Sequence, residues 1–88
     1  MPRISEFFGI TILMYWFDTQ KHRIPHIHVR YQGKEAVLDL VGNVLKGELN
    51  LRALKLIREW CIEHQGELQG AWTAATEGKE IPWIRPLQ

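Results

Sequence analysis

Two stretches of the chain alternate apolar and polar residues with a period of two. His26-Ile27-His28-Val29-Arg30-Tyr31 and Glu35-Ala36-Val37-Leu38-Asp39-Leu40 each read as a strand with one buried and one solvated face. Gly33-Lys34 between them suits a two-residue hairpin loop with glycine first. That loop pairs Gln32 with Glu35, Arg30 with Val37 and His28 with Asp39. His26, His28, Arg30, Glu35 and Asp39 then share one face, and Ile27, Val29, Tyr31, Ala36, Leu38 and Leu40 the other. A three-residue loop would mix the two sets, because a slip of one residue moves every side chain to the opposite face. Gly42-Asn43 offers a second such turn into Val44 to Leu49, pairing Leu40 with Leu45 and Asp39 with Lys46. Asp39 is thereby expected between His28 and Lys46.

Ahead of this hairpin, Gly9 to Trp16 is short, β-branched and aromatic, as expected of a strand largely covered on both faces. Phe17 to Pro25 is a polar loop, its closing proline biasing Ile24 toward extended geometry. From Leu51 the period becomes helical. Asn50 is a good N-cap and Gly66 a natural stop, which predicts a helix from Leu51 to about Gln65. Its Ala53, Leu54, Leu56, Ile57, Trp60, Cys61 and His64 form one arc, opposite Arg52, Lys55, Arg58, Glu59 and Glu63. A second, shorter helix is predicted from Glu67 to about Glu77, with Leu68, Ala71, Trp72 and Ala75 at core spacing and Gly78 at its end. Pro82 and Pro86 make the remainder extended.

The pattern predicts an α+β fold over residues 1–88 as a single domain: a three- to four-stranded, mainly antiparallel sheet with two C-terminal helices packed on one face. Composition adds limits. An apolar share of 45% and a charged share of 24% fit a globular chain and exclude a disordered or fibrous one. A formal net charge of +1 provides no overall field toward nucleic acid or an anionic membrane, so any such binding must be local. The one cysteine, Cys61, lies on the apolar helical arc as core filler. With no leader-like N-terminus and an apolar run too short to span a bilayer, the expected location is the cytoplasm.

Phe8-Gly9-Ile10, then Pro25-His26-Ile27-His28-Val29-Arg30-Tyr31 with Glu35-Ala36 after it, Leu45-x-Gly47, Trp60, Trp72 and Pro86-Leu87 occur in an order that resembles the bacterial domain-of-unknown-function family 4160. The likeness runs over almost the whole chain and is most specific in Pro-His-x-His-Val-x-Tyr. Members often carry two prolines before the first histidine, whereas Ile24 precedes Pro25 here. The resemblance implies a small bacterial protein encoded beside another small one, an arrangement similar to toxin-antitoxin pairs. It implies no activity.

The candidate chemistry lies on the polar face. Histidines at i and i+2 of a strand point the same way, so His26 and His28 could hold a divalent metal such as zinc, the only cofactor expected. A third ligand would come from His22, Asp39, Asp18 or Glu35. His28 opposite Asp39 would also form an acid/base pair, the carboxylate orienting the imidazole. Lys21, His22, Arg23, His26, His28 and Arg30 fall in ten residues without an acid, a pattern that grips phosphates; Tyr15, Trp16 and Phe17 beside it could stack bases. A plain half-polar outer sheet face explains the same alternation, and a buried, hydrogen-bonded core histidine explains His64. Trp83, in the proline-flanked tail, is the tryptophan placed for an interface.

Two classes of function follow. One is an interaction component that binds a neighbouring small protein, or nucleic acid, through Arg23, His26, His28 and Arg30. The other is a small hydrolase with His26 and His28 as metal ligands, or with His28 and Asp39 as catalytic groups. No membrane partner is expected, and an uncovered sheet face in so small a chain predicts a homo-oligomer.

Overall fold

The structure, a computed structural model, describes residues 3–16 and 24–88. Five strands form one sheet in sequence order: β1 (Arg3–Phe7), β2 (Ile10–Leu13), β3 (His26–Tyr31), β4 (Lys34–Asp39) and β5 (Val44–Gly47). Every neighbouring pair is antiparallel. Two helices follow, α1 (Leu51–Glu63) and α2 (Gln65–Thr76). The α+β class and the two C-terminal helices are as the sequence predicts, and the sheet gains β1. That strand escapes the period-two pattern because a bulge between Arg3 and Ser5 interrupts its alternation, and Ser5 takes a buried position where an apolar residue would announce a strand.

Two hairpins turn on paired left-handed residues. Phe8 and Gly9 sit at φ 51° and 78° between β1 and β2, and Gln32 and Gly33 at φ 49° and 76° between β3 and β4. Positive φ at both central positions is the type I′ arrangement, whose twist matches that of the flanking strands. Glycine is therefore second in the β3–β4 turn, where the sequence reading made it first. The closing pair is Tyr31 with Lys34, and behind it Arg30 faces Glu35, His28 faces Val37 and His26 faces Asp39. The predicted pairing of His28 with Asp39 is thus corrected by two residues. A shift of two preserves the parity of every position, so the division into an apolar and a polar face survives.

A second correction concerns β5. Leu38 faces Val44 and Val37 faces Lys46, which makes Leu45 the extra residue of a bulge and moves Lys46 away from Asp39.

The inner face supplies Ile10, Ile12, Ile27, Val29, Ala36 and Leu38 to one buried cluster with Ala53, Ile57, Trp60 and Cys61 of α1 and Leu68, Ala71 and Ala75 of α2. Asn50 caps α1, its Oδ1 accepting from the Ala53 amide at 2.8 Å. Gly66 does not end that helix. The two helices meet at His64, and Gly66 lies inside α2. The tail beyond α2 is extended and pinned at three places. The Trp16 indole donates to the Lys79 carbonyl at 2.6 Å, the Ile84 amide to the Ile4 carbonyl at 2.7 Å and the Trp60 indole to the Arg85 carbonyl at 2.8 Å. Ile84 and Leu87 are buried by this path, and the tail meets β1 at Ile4. Trp83 stays on the solvent side, 55% exposed. No helix among the described residues is long and apolar enough to cross a membrane.

Candidate functional site

Cross-strand neighbours point to the same side of a sheet, so the register gathers the polar face directly. Thr11 faces Arg30, Leu13 faces His28, Arg30 faces Glu35, His28 faces Val37, and Val37 faces Lys46. The Glu35 carboxylate joins the two cationic candidates: Oε1 lies 3.9 Å from His28 Nδ1 and Oε2 lies 3.9 Å from Arg30 Nε. The edge of the Tyr15 ring meets the His28 imidazole, with centroids 4.4 Å apart and planes at 82°. Shallow, solvent-open depressions flank this cluster. One, of about 350 Å³, is lined by Gly9, Thr11, Arg30, Gln32, Lys34 and Glu35; the other, of about 330 Å³, by His28, Glu35, Val37, Lys46 and Gly47.

The face is not bare throughout, which corrects the sequence reading. His26 retains 1% of its accessible surface and Leu13 is buried beside it. Trp72 of α2 closes over the His26 ring at a centroid distance of 5.1 Å, and the His28 ring lies 5.3 Å away on another side. His26 Nδ1 is 2.8 Å from the Ile24 carbonyl; a carbonyl only accepts, so Nδ1 carries the proton and donates. This local bond ties the strand to the segment that leads into it through Pro25. His26 is thus a packed residue, and the accessible part of the face is its Arg30, Glu35 and Lys46 portion.

Asp39 does not serve His28. It sits opposite His26, and its carboxylate turns into the β4–β5 connection, where Oδ1 accepts from the amides of Val41 at 3.0 Å and Asn43 at 2.8 Å while Oδ2 accepts from Asn43 Nδ2 at 2.9 Å. An aspartate followed by a glycine-containing turn makes such local bonds readily. Burial alone would raise the Asp39 pKa. The Asn43 backbone and side-chain amides, with the backbone amides of Val41 and Gly42, outweigh that and hold it below the ordinary carboxylate value. Both helices clasp the same connection from outside, Arg58 Nε of α1 donating to the Gly42 carbonyl at 3.1 Å and Gln65 Nε2 of α2 to the Leu40 carbonyl at 2.6 Å.

Of the predicted site residues, the structure brings together His26, His28 and Arg30, assigns Asp39 to a turn, and adds Glu35 as the carboxylate beside His28. Arg23, His22 and Asp18 lie outside the described residues, as do Lys21 and Phe17. Among the described residues no group of three or more histidine, cysteine, aspartate or glutamate side chains could hold a metal ion. Tyr15 is the contributor the sequence did not place against His28. No short turn links β2 to β3, so nothing in the sequence sets the register between them.

Away from this face, His64 is buried as expected, its Nδ1 donating to Glu67 Oε1 at 2.7 Å. Its Nε2 has no hydrogen-bond partner among the described residues. Cys61 is a buried free thiol; burial, with the Asp39 carboxylate adding to it, pushes its pKa up to about 12.

A family model described as "Domain of unknown function (DUF4160)" matches residues 9–73, and the chain belongs to that family. No curated protein and no solved structure matches it.

Proposed function

We propose, from that membership and from the geometry of the outer face, that this chain is the interaction component of a toxin-antitoxin-like two-gene module and docks a small partner protein on the face around His28, Arg30 and Glu35. The observation that supports the reading is the Glu35 carboxylate set between His28 and Arg30 at 3.9 Å from each, in a face whose hollows are shallow. A small-molecule site encloses most of its ligand, whereas an open surface with both signs of charge and a part-buried aromatic edge suits a protein partner. The acids on this face count against a nucleic-acid backbone, which favours unrelieved positive charge.

The test is co-expression with the product of the adjacent gene, followed by affinity purification of each partner in turn. Arg30→Glu and Glu35→Lys, each a reversal on an exposed side chain, are expected to abolish co-purification while the fold is kept, with only the small fall in melting temperature that like charges opposite each other on β3 and β4 cause, while His28→Ala weakens it. Full retention of the partner by both reversals would overturn the proposal. Salt-sensitive binding of a labelled single-stranded oligonucleotide, lost on Arg30→Glu, would put nucleic acid in the partner's place.

One observation favours a hydrolase as a second reading. Glu35, at 3.9 Å from His28 Nδ1, stands where an orienting carboxylate would, the role first assigned to Asp39. Screening phosphoester and amide substrates with the wild type, His28→Ala and Glu35→Gln decides it. Turnover lost in His28→Ala and reduced in Glu35→Gln would bring this reading to the front.

A further inference from the structure

Strands paired in sequence order alternate in direction, so the β1–β2 and β3–β4 turns lie at the same end of the sheet, roughly 10 Å apart at two strand spacings. Type I′ geometry asks for asparagine, aspartate or glycine at both central positions. Glycine holds the second position in each turn, but Phe8 at φ 51° and Gln32 at φ 49° hold the first. A left-handed backbone is strained for a bulky residue, and strain that the fold does not require collects where a protein binds or reacts. Packing does not require it at Phe8. The ring meets that of Phe7 edge-on, with centroids 6.4 Å apart and planes at 83°, yet 63% of the residue stays in solvent. Phe7 itself packs inward, 5.5 Å from the Trp60 ring. A lone exposed apolar side chain is ordinary; one held there at the cost of backbone strain is not. Gly9, the other member of its turn, lines the hollow of about 350 Å³ together with Gln32, Thr11, Arg30 and Glu35. Phe8 is thus one residue from the rim of the charged face.

We infer that Phe8 is the anchor by which the partner protein is held: its ring enters an apolar pocket of the partner, while Arg30, Gln32 and Glu35 form the polar rim of the contact. The inference rests on the outer face being a protein-docking surface. It adds what the partner must offer, an apolar recess beside groups that answer Arg30 and Glu35 in charge. Binding energy at protein interfaces concentrates in a few side chains, aromatic ones prominent among them, ringed by polar contacts that exclude water. An aromatic side chain suits the task because it supplies a large contact area and has only two torsions to freeze. A two-residue turn closed by flanking strand pairs holds its backbone fixed before the partner arrives, which lowers the ordering cost of binding. An asparagine at position 8 would serve the turn better and the partner not at all.

Phe8→Asn in the full chain tests this, because asparagine accepts a left-handed backbone. Its midpoint in chemical denaturation is expected to equal or exceed that of wild type. Its affinity for the purified product of the adjacent gene, measured by titration calorimetry, should fall about tenfold or more. Phe8→Tyr keeps a ring in place and should retain most of the affinity. Wild-type affinity in Phe8→Asn, with binding lost in Arg30→Glu, overturns the anchor and leaves the docking face standing. A lowered midpoint in Phe8→Asn also overturns it, by assigning the ring to the fold. A wild type that does not bind the adjacent gene product removes the docking face and the anchor together.

Discussion

Replacing Asp39 with alanine separates a structural carboxylate from a catalytic one. The change removes three accepted hydrogen bonds of 2.8 to 3.0 Å from the connection that α1 grips through Arg58 and α2 through Gln65. A hydrogen bond to an ionised acceptor is worth roughly 1.5–3 kcal/mol when shielded from water and a neutral one roughly 0.5–1.5 kcal/mol. This turn is solvated on one side, so the lower scale applies and the three together contribute roughly 2 kcal/mol. For a domain of this size that is a fall in Tm of roughly 8–16 °C. The pH dependence has a definite sign. Folding lowers the Asp39 pKa from its ordinary 3.8, so folding favours the ionised form. Its contribution is complete above the ordinary value and is lost as pH falls through the depressed one. Thermal melts of wild type and Asp39→Ala should differ fully at neutral pH and converge only in acid, with Asp39→Asn between them because it keeps one acceptor. Equal melting temperatures at pH 7, or a difference that widens on acidification, would refute the reasoning.

Three further outcomes follow from the packing. Gly42→Ala places a Cβ 2.4 Å from Arg58 Cγ at φ +95° and should cost roughly 1–3 kcal/mol in chemical denaturation. Arg58→Ala in the same chain removes the Cγ clash but leaves Arg58 Cα and Cβ at 3.2 and 3.3 Å from the added Cβ. Measured against Arg58→Ala alone, Gly42→Ala should therefore cost less than in wild type but not nothing, and strict additivity of the two changes would count against this account. Gln32→Asn puts a residue that tolerates left-handed geometry at φ 49° and should stabilise by roughly 0.5 kcal/mol, an idea sunk by any loss in the same assay. Cys61, with its pKa raised to about 12, should resist iodoacetamide at pH 8 until the chain unfolds; stoichiometric labelling of native protein within minutes would contradict the buried placement.

The apolar face of the central hairpin was legible because alternation survives a register error of two residues. The turn that fixes the register was not, since Gly33 satisfies a two-residue loop as its first or its second member and only backbone twist decides between them. Asp39 was misplaced for the same reason, and then by a local competition the alternation cannot reveal: its carboxylate reaches the amides of its own turn sooner than any side chain across the sheet. β1 was hidden by Ser5 and a bulge. The end of α1 was misread at Gly66, because a glycine that begins a new helix looks like one that stops the old. His26 was read correctly onto its face but wrongly as accessible, since Trp72, 46 residues later in the sequence, closes over it.

The tail that crosses β1 has a kinetic consequence. All five strands pair only with sequence neighbours, so the sheet can assemble progressively from short-range contacts, the kind that form fastest. The meeting of Ile84 with Ile4 is the reverse case, a closure between residues far apart in the sequence and therefore a slow one. A polypeptide that terminates before Ile84 would complete its hairpins yet keep a raw strand edge. A chain held in that state should be cut by proteases and should aggregate more readily than one whose tail has docked.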